Sequence, residues 1–304
     1  MTQLLNALPG ALAQGLIWGV MAIAVYITYK VLDIADLTVD GSICTGAAVC
    51  TMLLLGGQSP WLALLCAVLA GVLAGAVTGL LHVGLGIPPI LAGILTQMVL
   101  WSVNLKLLGK ANQALPARTT PVLLSQMDVG GALPVLLGFC VVLVALLVLF
   151  FGTELGCALR ATGCNPVMSR AQGVNTGLMK IIGLALSNGV VALSGALLCQ
   201  YQGYTDVNMG RGAVVIGLAA VVIGQAVLGR RGGRMAVQLG GVILGAVIYY
   251  IVYQVIIFAG FDTDLLKMFS AVVVAVFLGA PHVKAQLKAH SRSKKGDSGH
   301  AENE

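Results

Sequence analysis

Three aspartates near the beginning of the sequence have a spacing that could support chemistry. Asp33, Asp36 and Asp40 occupy positions i, i+3 and i+7, and this spacing would place three carboxylates on one face of a helix. Carboxylates grouped in this way can hold magnesium together with the phosphates of a substrate. The aspartates therefore keep open an enzymatic interpretation, in which magnesium and a diphosphate bind to this helix.

Other catalytic patterns are weak or missing. Ser194 and His82 could form the serine–histidine pair of an intramembrane protease only by coincidence. The sequence contains no His-Glu-x-x-His, no Cys-x-x-Cys and no Gly-x-x-x-x-Gly-Lys-Ser/Thr motif, so it indicates neither a zinc site nor an ATP-binding P-loop. We therefore expect free thiols, no metal site, no cofactor bound by this chain and no catalytic residue.

The composition identifies the solvent that surrounds the chain. Of its 304 residues, 58% are hydrophobic and 9% are charged, whereas soluble domains have about 45–50% apolar and about 25% charged residues. So few charged side chains cannot cover a protein of this size in water. We predict an all-α polytopic membrane protein. Basic residues between the spans then explain the net charge of +6, and no nucleic-acid partner is expected.

The apolar runs predict how the chain crosses the membrane. A hydrocarbon core of about 30 Å needs about 20 helical residues. With the loop 152–176 in the cytosol, most Lys and Arg residues lie inside, which predicts an outside N-terminus and a cytosolic C-terminus. Residues 1–281 would form the transmembrane domain and 282–304 a disordered, basic cytosolic tail. The sequence predicts nine spans, at 11–30, 42–57, 61–81, 88–108, 131–151, 177–200, 212–229, 236–258 and 265–280.

Two segments suggest an internal repeat. Gly41 and Gly46 share a Gly-x4-Gly spacing with Gly212 and Gly217, and each pair follows a polar loop that contains aspartate. The predicted topology puts these loops, 31–41 and 201–211, on opposite sides of the membrane. Inverted halves around broken helices are typical of transporters, so we expect an inverted repeat on either side of the fifth span.

The connection 153–175 predicts two short helices. Thr153 is a suitable N-cap, Arg160 would lie in the last turn, and Gly163 can adopt a left-handed C-cap conformation. These signals predict a first helix over 154–162.

A second helix follows directly. Asn165 can cap it, Pro166 suits its first position, Gly173 can end it, and Asn175 can cap the next span. The two helices either lie idle at the membrane surface or present a rigid surface to a cytosolic partner.

This connection resembles the coupling segment in the permease subunits of bacterial ATP-binding-cassette (ABC) importers, of the branched-chain amino acid and ribose type. Segments 35–43 and 200–212 look most similar to permeases for tryptophan or other aromatic amino acids, and the resemblance covers about residues 12–281. The residues that match the coupling segment are Gly156, Leu159, Arg160, Ala161, Gly163, Asn165, Pro166 and Gly173.

The resemblance implies a transport subunit that is not itself an enzyme. ATP and magnesium would bind to separate ABC ATPase subunits that dock on 153–175, and an extracytoplasmic binding protein would deliver a small solute such as an amino acid. The permease would form a homodimer among the lipids of the bacterial inner membrane.

Several polar residues are candidates for the substrate pathway. Asp40 could cap a broken helix that begins beside it, and residues near 201–208 could line the entrance or face the binding protein. Purely structural capping and a solvated loop explain the same residues. The candidates are Thr38, Asp40, Ser42, Gln97, Asn188, Tyr201, Asp206 and Asn208.

The aspartate triad leaves one alternative function. Asp33, Asp36 and Asp40 resemble in spacing the magnesium–diphosphate motif of intramembrane prenyltransferases. Such a site needs a second acidic cluster facing the first, and Asp262 with Asp264 is expected on the opposite side of the membrane. A passive channel, in turn, would give the capped connection 153–175 no role. The importer is therefore the favoured interpretation.

Overall fold

A computed structural model describes residues 2–116, 120–228 and 234–258, together with the isolated helical positions 268, 272, 275 and 279. The chain forms two compact units, Met1–Gln254 and Val255–Glu304, and the packing described below lies within the first. The predicted last span and the predicted tail lie outside the described residues, apart from those four positions.

The described chain is almost entirely helical, as predicted. A π-helical turn, Ile27–Val31, extends the first helix, and strands β1 and β2 form an antiparallel ribbon in which Gln113 is paired with Thr205. The elements are α1 (Thr2–Tyr26), α2 (Val39–Leu55), α3 (Pro60–Gly84), α4 (Pro89–Leu108), β1 (Asn112–Ala114), α5 (Val129–Gly152), α6 (Glu154–Cys164), α7 (Pro166–Ala171), α8 (Thr176–Gln202), β2 (Tyr204–Asp206), α9 (Ala213–Leu228) and α10 (Met235–Phe258).

Eight apolar helices account for the first eight predicted spans. Within the described residues, six helices are long and apolar enough to cross a membrane, whereas α2 and α9 are shorter. The six candidate spans are Ala7–Val31, Pro60–Gly84, Pro89–Leu108, Val129–Gly152, Thr176–Gln202 and Met235–Phe258.

Helix α8 lies at the centre of the bundle and packs closely against α3. Gly71 lies against the backbone oxygen of Asn188, and Gly75 lies against that of Leu184, so neither glycine leaves room for a Cβ atom. Small residues at four-residue spacing allow two helix backbones to approach this closely. The glycine spacing of α3 therefore serves helix packing.

Helices α2 and α9 begin beside each other and run in opposite directions. Helix α2 runs parallel to α8, and α1 runs antiparallel to α8. Helix α10 is antiparallel to α1, and α9 is antiparallel to α10. Asp40 at the start of α2 accepts hydrogen bonds from Gly212 and Val214 at the start of α9. The contacts that set the directions are Ser42–Asn188, Cys50–Ala196, Ser187–Ala24, Ser194–Ile17, Gly15–Val247, Gly19–Ile243, Gly224–Gly241 and Gly245–Ala220.

This arrangement corrects the predicted separation of the two polar loops. Loops 31–41 and 201–211 begin near opposite ends of α8, with Leu32 against Gly183 and Tyr201 in the last turn of α8. Their far ends, however, meet inside the bundle at Asp40, so the loops do not simply lie on opposite sides of the membrane. Helices α2 and α9, which follow these two loops, are short because they start inside the bundle.

Candidate functional site

The connection between α5 and α8 forms two capped helices, as the sequence predicts. The Thr153 hydroxyl accepts a hydrogen bond from the N–H of Gly156 at 3.3 Å. The Asn165 side chain accepts two, from Val167 at 3.1 Å and Met168 at 3.0 Å. These caps satisfy N–H groups that helix starts leave without partners. Thr153 and Asn165 thus fix where α6 and α7 begin.

Gly163 does not end the first helix, contrary to the prediction. Helix α6 continues to Cys164, and Asn165 takes the C-cap position. Gly163 lies inside α6 against the backbone of Val31 and Leu32, where a Cβ atom would overlap the Val31 oxygen. The glycine is therefore needed for close packing on the turn that follows α1, and not for a left-handed turn.

Arg160 is consequently not in the last turn of α6. Its guanidinium donates a hydrogen bond to the backbone oxygen of Phe151 at 3.1 Å, and the same nitrogen lies 3.2 Å from the Cys157 sulfur. The arginine therefore connects α6 to the end of α5. Gly173, in contrast, has a φ of +83° after α7, as its predicted role as a helix terminator requires.

The α6–α7 pair has a packed face and an open face. Gly156, Leu159 and Thr162 are buried, and Leu159 together with Leu32 fills the space beside Gly183 of α8. The open face carries large apolar side chains and half of the eight predicted coupling residues. The exposed residues on it include Leu155, Ala161, Asn165, Pro166, Val167, Met168 and Gly173.

The three aspartates do not share a helix face. Asp33 is exposed and has a φ of +56°, Asp36 is buried in the irregular segment 32–38, and Asp40 lies in the first turn of α2. The described residues include no cluster of three or more His, Cys, Asp or Glu residues that could hold a metal ion. The predicted magnesium–diphosphate face is therefore wrong, because the chain between these aspartates is not a continuous helix.

Asp36 belongs to a buried hydrogen-bonded chain. Its oxygens accept hydrogen bonds from the N–H of Thr38 at 2.8 Å and from the side-chain amide of Asn188 at 2.7 Å. The Ser42 hydroxyl donates to the Asn188 oxygen at 2.6 Å. Burial raises the pKa of the Asp36 carboxyl, although these hydrogen bonds oppose the shift. The chain joins segment 32–38 and α2 to the middle of α8.

Three threonine hydroxyls extend this polar region to α3 and α4. The Thr38 and Thr78 hydroxyls are 2.8 Å apart, and Thr78 is 2.9 Å from Thr96. All three residues are buried. The sequence did not predict that Asp36 and Thr78 contact Thr38 or that Thr96 contacts Thr78. For Thr78 and Thr96, the only available signal was that they are polar residues in otherwise apolar helices.

Asp40 has a different role from the predicted one. It does not cap its own helix, because α2 begins after Thr38 and no side chain caps it. Each Asp40 oxygen instead accepts one N–H of the α9 start, from Val214 and from Gly212, both at 3.0 Å. Asp40 therefore caps the start of α9 and not that of its own helix, α2.

The predicted pathway residues fall into three places. Thr38, Ser42 and Asn188 lie in the buried polar region, Asp40 and Gln97 line a cavity, and the remaining three lie near the β1–β2 ribbon. Asp206 there accepts a hydrogen bond from the N–H of Asn208 at 2.7 Å, while Tyr201 is buried. The structure does not bring the eight predicted residues into one site.

The cavity is bounded by α2, α4 and residues 207–211. Its volume is about 600 Å³. Most of its lining residues were not predicted, since they are separated in the sequence and lie among ordinary helix-packing residues. The residues that line it are Asp40, Gly41, Cys44, Ile94, Gln97, Met98, Trp101, Ser102, Asn104, Val207 and Arg211.

Comparisons with known proteins agree with the predicted family. A tyrosine transport system permease protein of Clostridioides difficile is 37% identical over 287 residues, covering 93% of this chain and 94% of that protein. An uncharacterized protein of Rickettsia prowazekii is 33% identical over 279 residues, covering 91% and 98%. The autoinducer 2 import system permease LsrC of Escherichia coli is 29% identical over 239 residues, covering 75% and 66%.

No solved structure matches the chain. The family model for the permease component of branched-chain amino acid transport systems matches residues 8–280, which is most of the chain. The relatives that match over most of this chain and the family match agree with the resemblance seen in the coupling segment. The chain therefore belongs to the branched-chain amino acid transport system permease family.

Proposed function

We propose that this chain, as the transmembrane subunit of an ABC importer, moves an amino acid across the bacterial inner membrane. The importer assignment is supported by the family match and by the tyrosine and autoinducer 2 permeases among its relatives. The amino-acid substrate is supported by the C. difficile relative, whose printed name refers to tyrosine transport. The single observation that carries the mechanism is the two-faced α6–α7 pair.

The open face of α6–α7 is the proposed docking surface for an ABC ATPase. Leu155, Val167 and Met168 are 51%, 77% and 63% exposed, and the caps at Thr153 and Asn165 hold the two short helices in a fixed shape. A rigid apolar surface of this kind suits a partner protein. ATP and magnesium would bind to that partner, since this sequence contains no P-loop motif.

The packed face explains how movement of the ATPase would reach the membrane helices. Gly163 lies against Val31 and Leu32, immediately before the irregular segment 32–38 that leads into α2. The Arg170 guanidinium donates a hydrogen bond to the Thr176 hydroxyl at 2.7 Å, which joins α7 to α8. A displacement of the helix pair would therefore shift the starts of α2 and α8 together, as alternating access requires.

The remaining partners follow from the same assignment. We place the extracytoplasmic binding protein at the end of the bundle that carries the β1–β2 ribbon, where Tyr204 is exposed, because α6–α7 lies at the other end of α8. The pairing of two permease copies around a common pathway and the cytosolic position of the C-terminal tail are supported by the family resemblance.

Substitution of the open face tests this proposal. Val167→Asp combined with Met168→Asp places two carboxylates on the proposed docking surface without touching the packed face, so binding of the ATPase should be lost. The full chain is purified with an affinity tag from its own host, the co-purifying ABC ATPase is quantified, and ATP-driven amino-acid uptake is measured in membrane vesicles.

Met127→Asp is the matched control, because Met127 is 76% exposed and lies between the ribbon and α5, at the other end of the bundle. This variant should retain the ATPase. Equal ATPase recovery and equal uptake in the double variant and the unsubstituted protein would contradict the proposed docking surface.

A further inference from the structure

The cavity between α2, α4 and residues 207–211 has the size and lining of a small-molecule site. Its volume of about 600 Å³ lies within the range of about 300–1,000 Å³ that is typical of ligand pockets. Such pockets are mainly apolar and contain a few polar groups that orient the ligand. This cavity has both kinds of lining. It is separate from the buried polar region around Asp36, whose residues do not line it.

One face of α4 supplies two amide side chains and the aromatic ring of the cavity. Gln97, Trp101 and Asn104 occupy positions i, i+4 and i+7, which lie on the same side of a helix. Asn104 is only 1% exposed, yet neither its amide oxygen nor its amide nitrogen has a hydrogen-bond partner. Buried amides are normally satisfied. Neither amide atom is exposed to the cavity, so a polar ligand becomes the missing partner once the Asn104 side chain turns toward it.

Two residues of opposite charge, Asp40 and Arg211, line the cavity. Asp40 accepts one N–H on each oxygen, which leaves further acceptor positions on a carboxylate. Arg211 directly precedes Gly212, the residue whose N–H binds Asp40, so the two charged side chains enter the cavity from neighbouring positions. Within the described part of the chain, the exposed Arg211 guanidinium has no hydrogen bond or ion pair.

We propose that this cavity binds an amino acid in its zwitterionic form. The Asp40 carboxylate binds the ligand ammonium, and the Arg211 guanidinium binds the ligand carboxylate through paired N–H groups. The Asn104 side chain turns toward the ligand and forms a further hydrogen bond. Trp101 and Met98 contact an apolar or aromatic ligand side chain. This proposal rests on the proposed function, because it identifies where an imported amino acid would stop on its path.

Complementary charge favours this occupant over a lipid chain. A hydrocarbon tail would fill the apolar part of the cavity but would leave Asn104 unsatisfied and Asp40 and Arg211 without ligand charges. A zwitterion satisfies all three groups at once. The Asp40 carboxylate and the Arg211 guanidinium therefore predict that binding requires both charges of the amino acid.

Binding to the full-length chain in lipid nanodiscs provides the first measurement. The sequence has three tryptophans, so Trp18→Phe with Trp61→Phe leaves Trp101 as the only tryptophan, which is excited at a wavelength that neither the protein tyrosines nor the phenolic ligands absorb. L-Tyrosine should change the Trp101 emission. Tyramine, which lacks the carboxylate, and 3-(4-hydroxyphenyl)propionate, which lacks the ammonium, should each bind at least about tenfold more weakly, as the loss of one charge-assisted hydrogen-bonded pair predicts.

Variants of the cavity provide the second measurement, in vesicles that contain the complete importer. Arg211→Gln and Asn104→Leu should each raise the KM for L-tyrosine uptake by about tenfold or more. Lys106→Gln is the matched control, since Lys106 is exposed on the same helix and does not line the cavity; it should leave KM unchanged. Thermal unfolding of each variant checks that the fold is retained.

The outcomes separate this proposal from the proposed function. ATP-driven tyrosine uptake with an unchanged KM in Arg211→Gln and Asn104→Leu would overturn the site while leaving the importer intact. A Trp101 response to added lipid but not to L-tyrosine, together with those unchanged KM values, would assign the cavity to lipid and would also overturn it. Charge-dependent binding of L-tyrosine without any ATP-driven uptake would support the site and contradict the proposed function.

Discussion

Asp36 shows how one acidic residue can be held inside an apolar bundle. It is 5% exposed, and its oxygens accept hydrogen bonds from the Thr38 backbone and the Asn188 side chain. Asn188 is in turn oriented by Ser42 and by the Leu184 backbone oxygen. Burial of a carboxyl group is costly unless hydrogen bonds replace water, so this chain of contacts determines the path of the segment that precedes α2.

Asp36→Asn tests this role of the residue. The new amide would place an N–H₂ group against the N–H₂ group of Asn188, so one hydrogen bond would be lost and two donors would face each other. We expect the free energy of unfolding to fall by about 1–3 kcal/mol, and uptake to fall as the start of α2 loses its fixed position. Thermal unfolding in detergent and vesicle uptake measure the two effects.

The reciprocal exchange gives the control for this substitution. Asp36→Asn with Asn188→Asp places a donor and an acceptor opposite each other again, although the bond from residue 188 to the Leu184 oxygen is lost. The double variant should therefore recover part of the stability. If the double variant is no more stable than Asp36→Asn alone, the hydrogen bond between these two residues does not explain the effect.

At the scale of the helices, local signals were predictable and long-range contacts were not. Thr153, Asn165 and Asn175 cap the helices that follow them, because a cap depends on residues two or three positions away. Gly163 and Asp40 were assigned wrongly for the opposite reason. Their partners, Val31 and the start of α9, are distant in the sequence, and only the packed structure brings them together.

Gly163→Ala tests whether α6 is held against the turn after α1. The added methyl group would overlap the Val31 backbone oxygen, so either α6 or segment 31–32 must move. Overpacking of this kind costs about 1–3 kcal/mol, and the variant should also transmit ATPase movement less efficiently. We expect a lower melting temperature and a smaller ratio of solute transported to ATP hydrolysed, measured with the complete importer in vesicles.

Gly138→Ala is the comparison for this substitution. Gly138 is also inside a helix and exposed, and an added Cβ atom there would contact nothing. Its stability should change by less than about 1 kcal/mol, and its transport ratio should stay the same. If the two variants behave alike, close packing at Gly163 has no special importance for coupling.

For the whole molecule, composition was sufficient to predict the class of fold but not the site. Long apolar runs in lipid form helices, because a helix satisfies every backbone group within its own segment, and the eight described apolar helices agree with that requirement. The cavity could not be predicted in the same way. Asp40, Trp101 and Arg211 come from three separate segments, and their proximity depends on α2 and α9 both starting inside the bundle.

The orientation of the bundle gives the last prediction. Cys157 and Cys164 on α6 are exposed, whereas four of the other five cysteines are buried and Cys66 is intermediate. A membrane-impermeant maleimide should therefore label the chain mainly on α6. If α6–α7 faces the cytosol, as docking of an ATPase requires, inside-out vesicles should be labelled and intact cells with a permeabilised outer layer should not. Cys157→Ser with Cys164→Ser should abolish the signal. Labelling of intact cells that disappears in this double variant would place α6–α7 outside, where no ATP-driven partner could reach it.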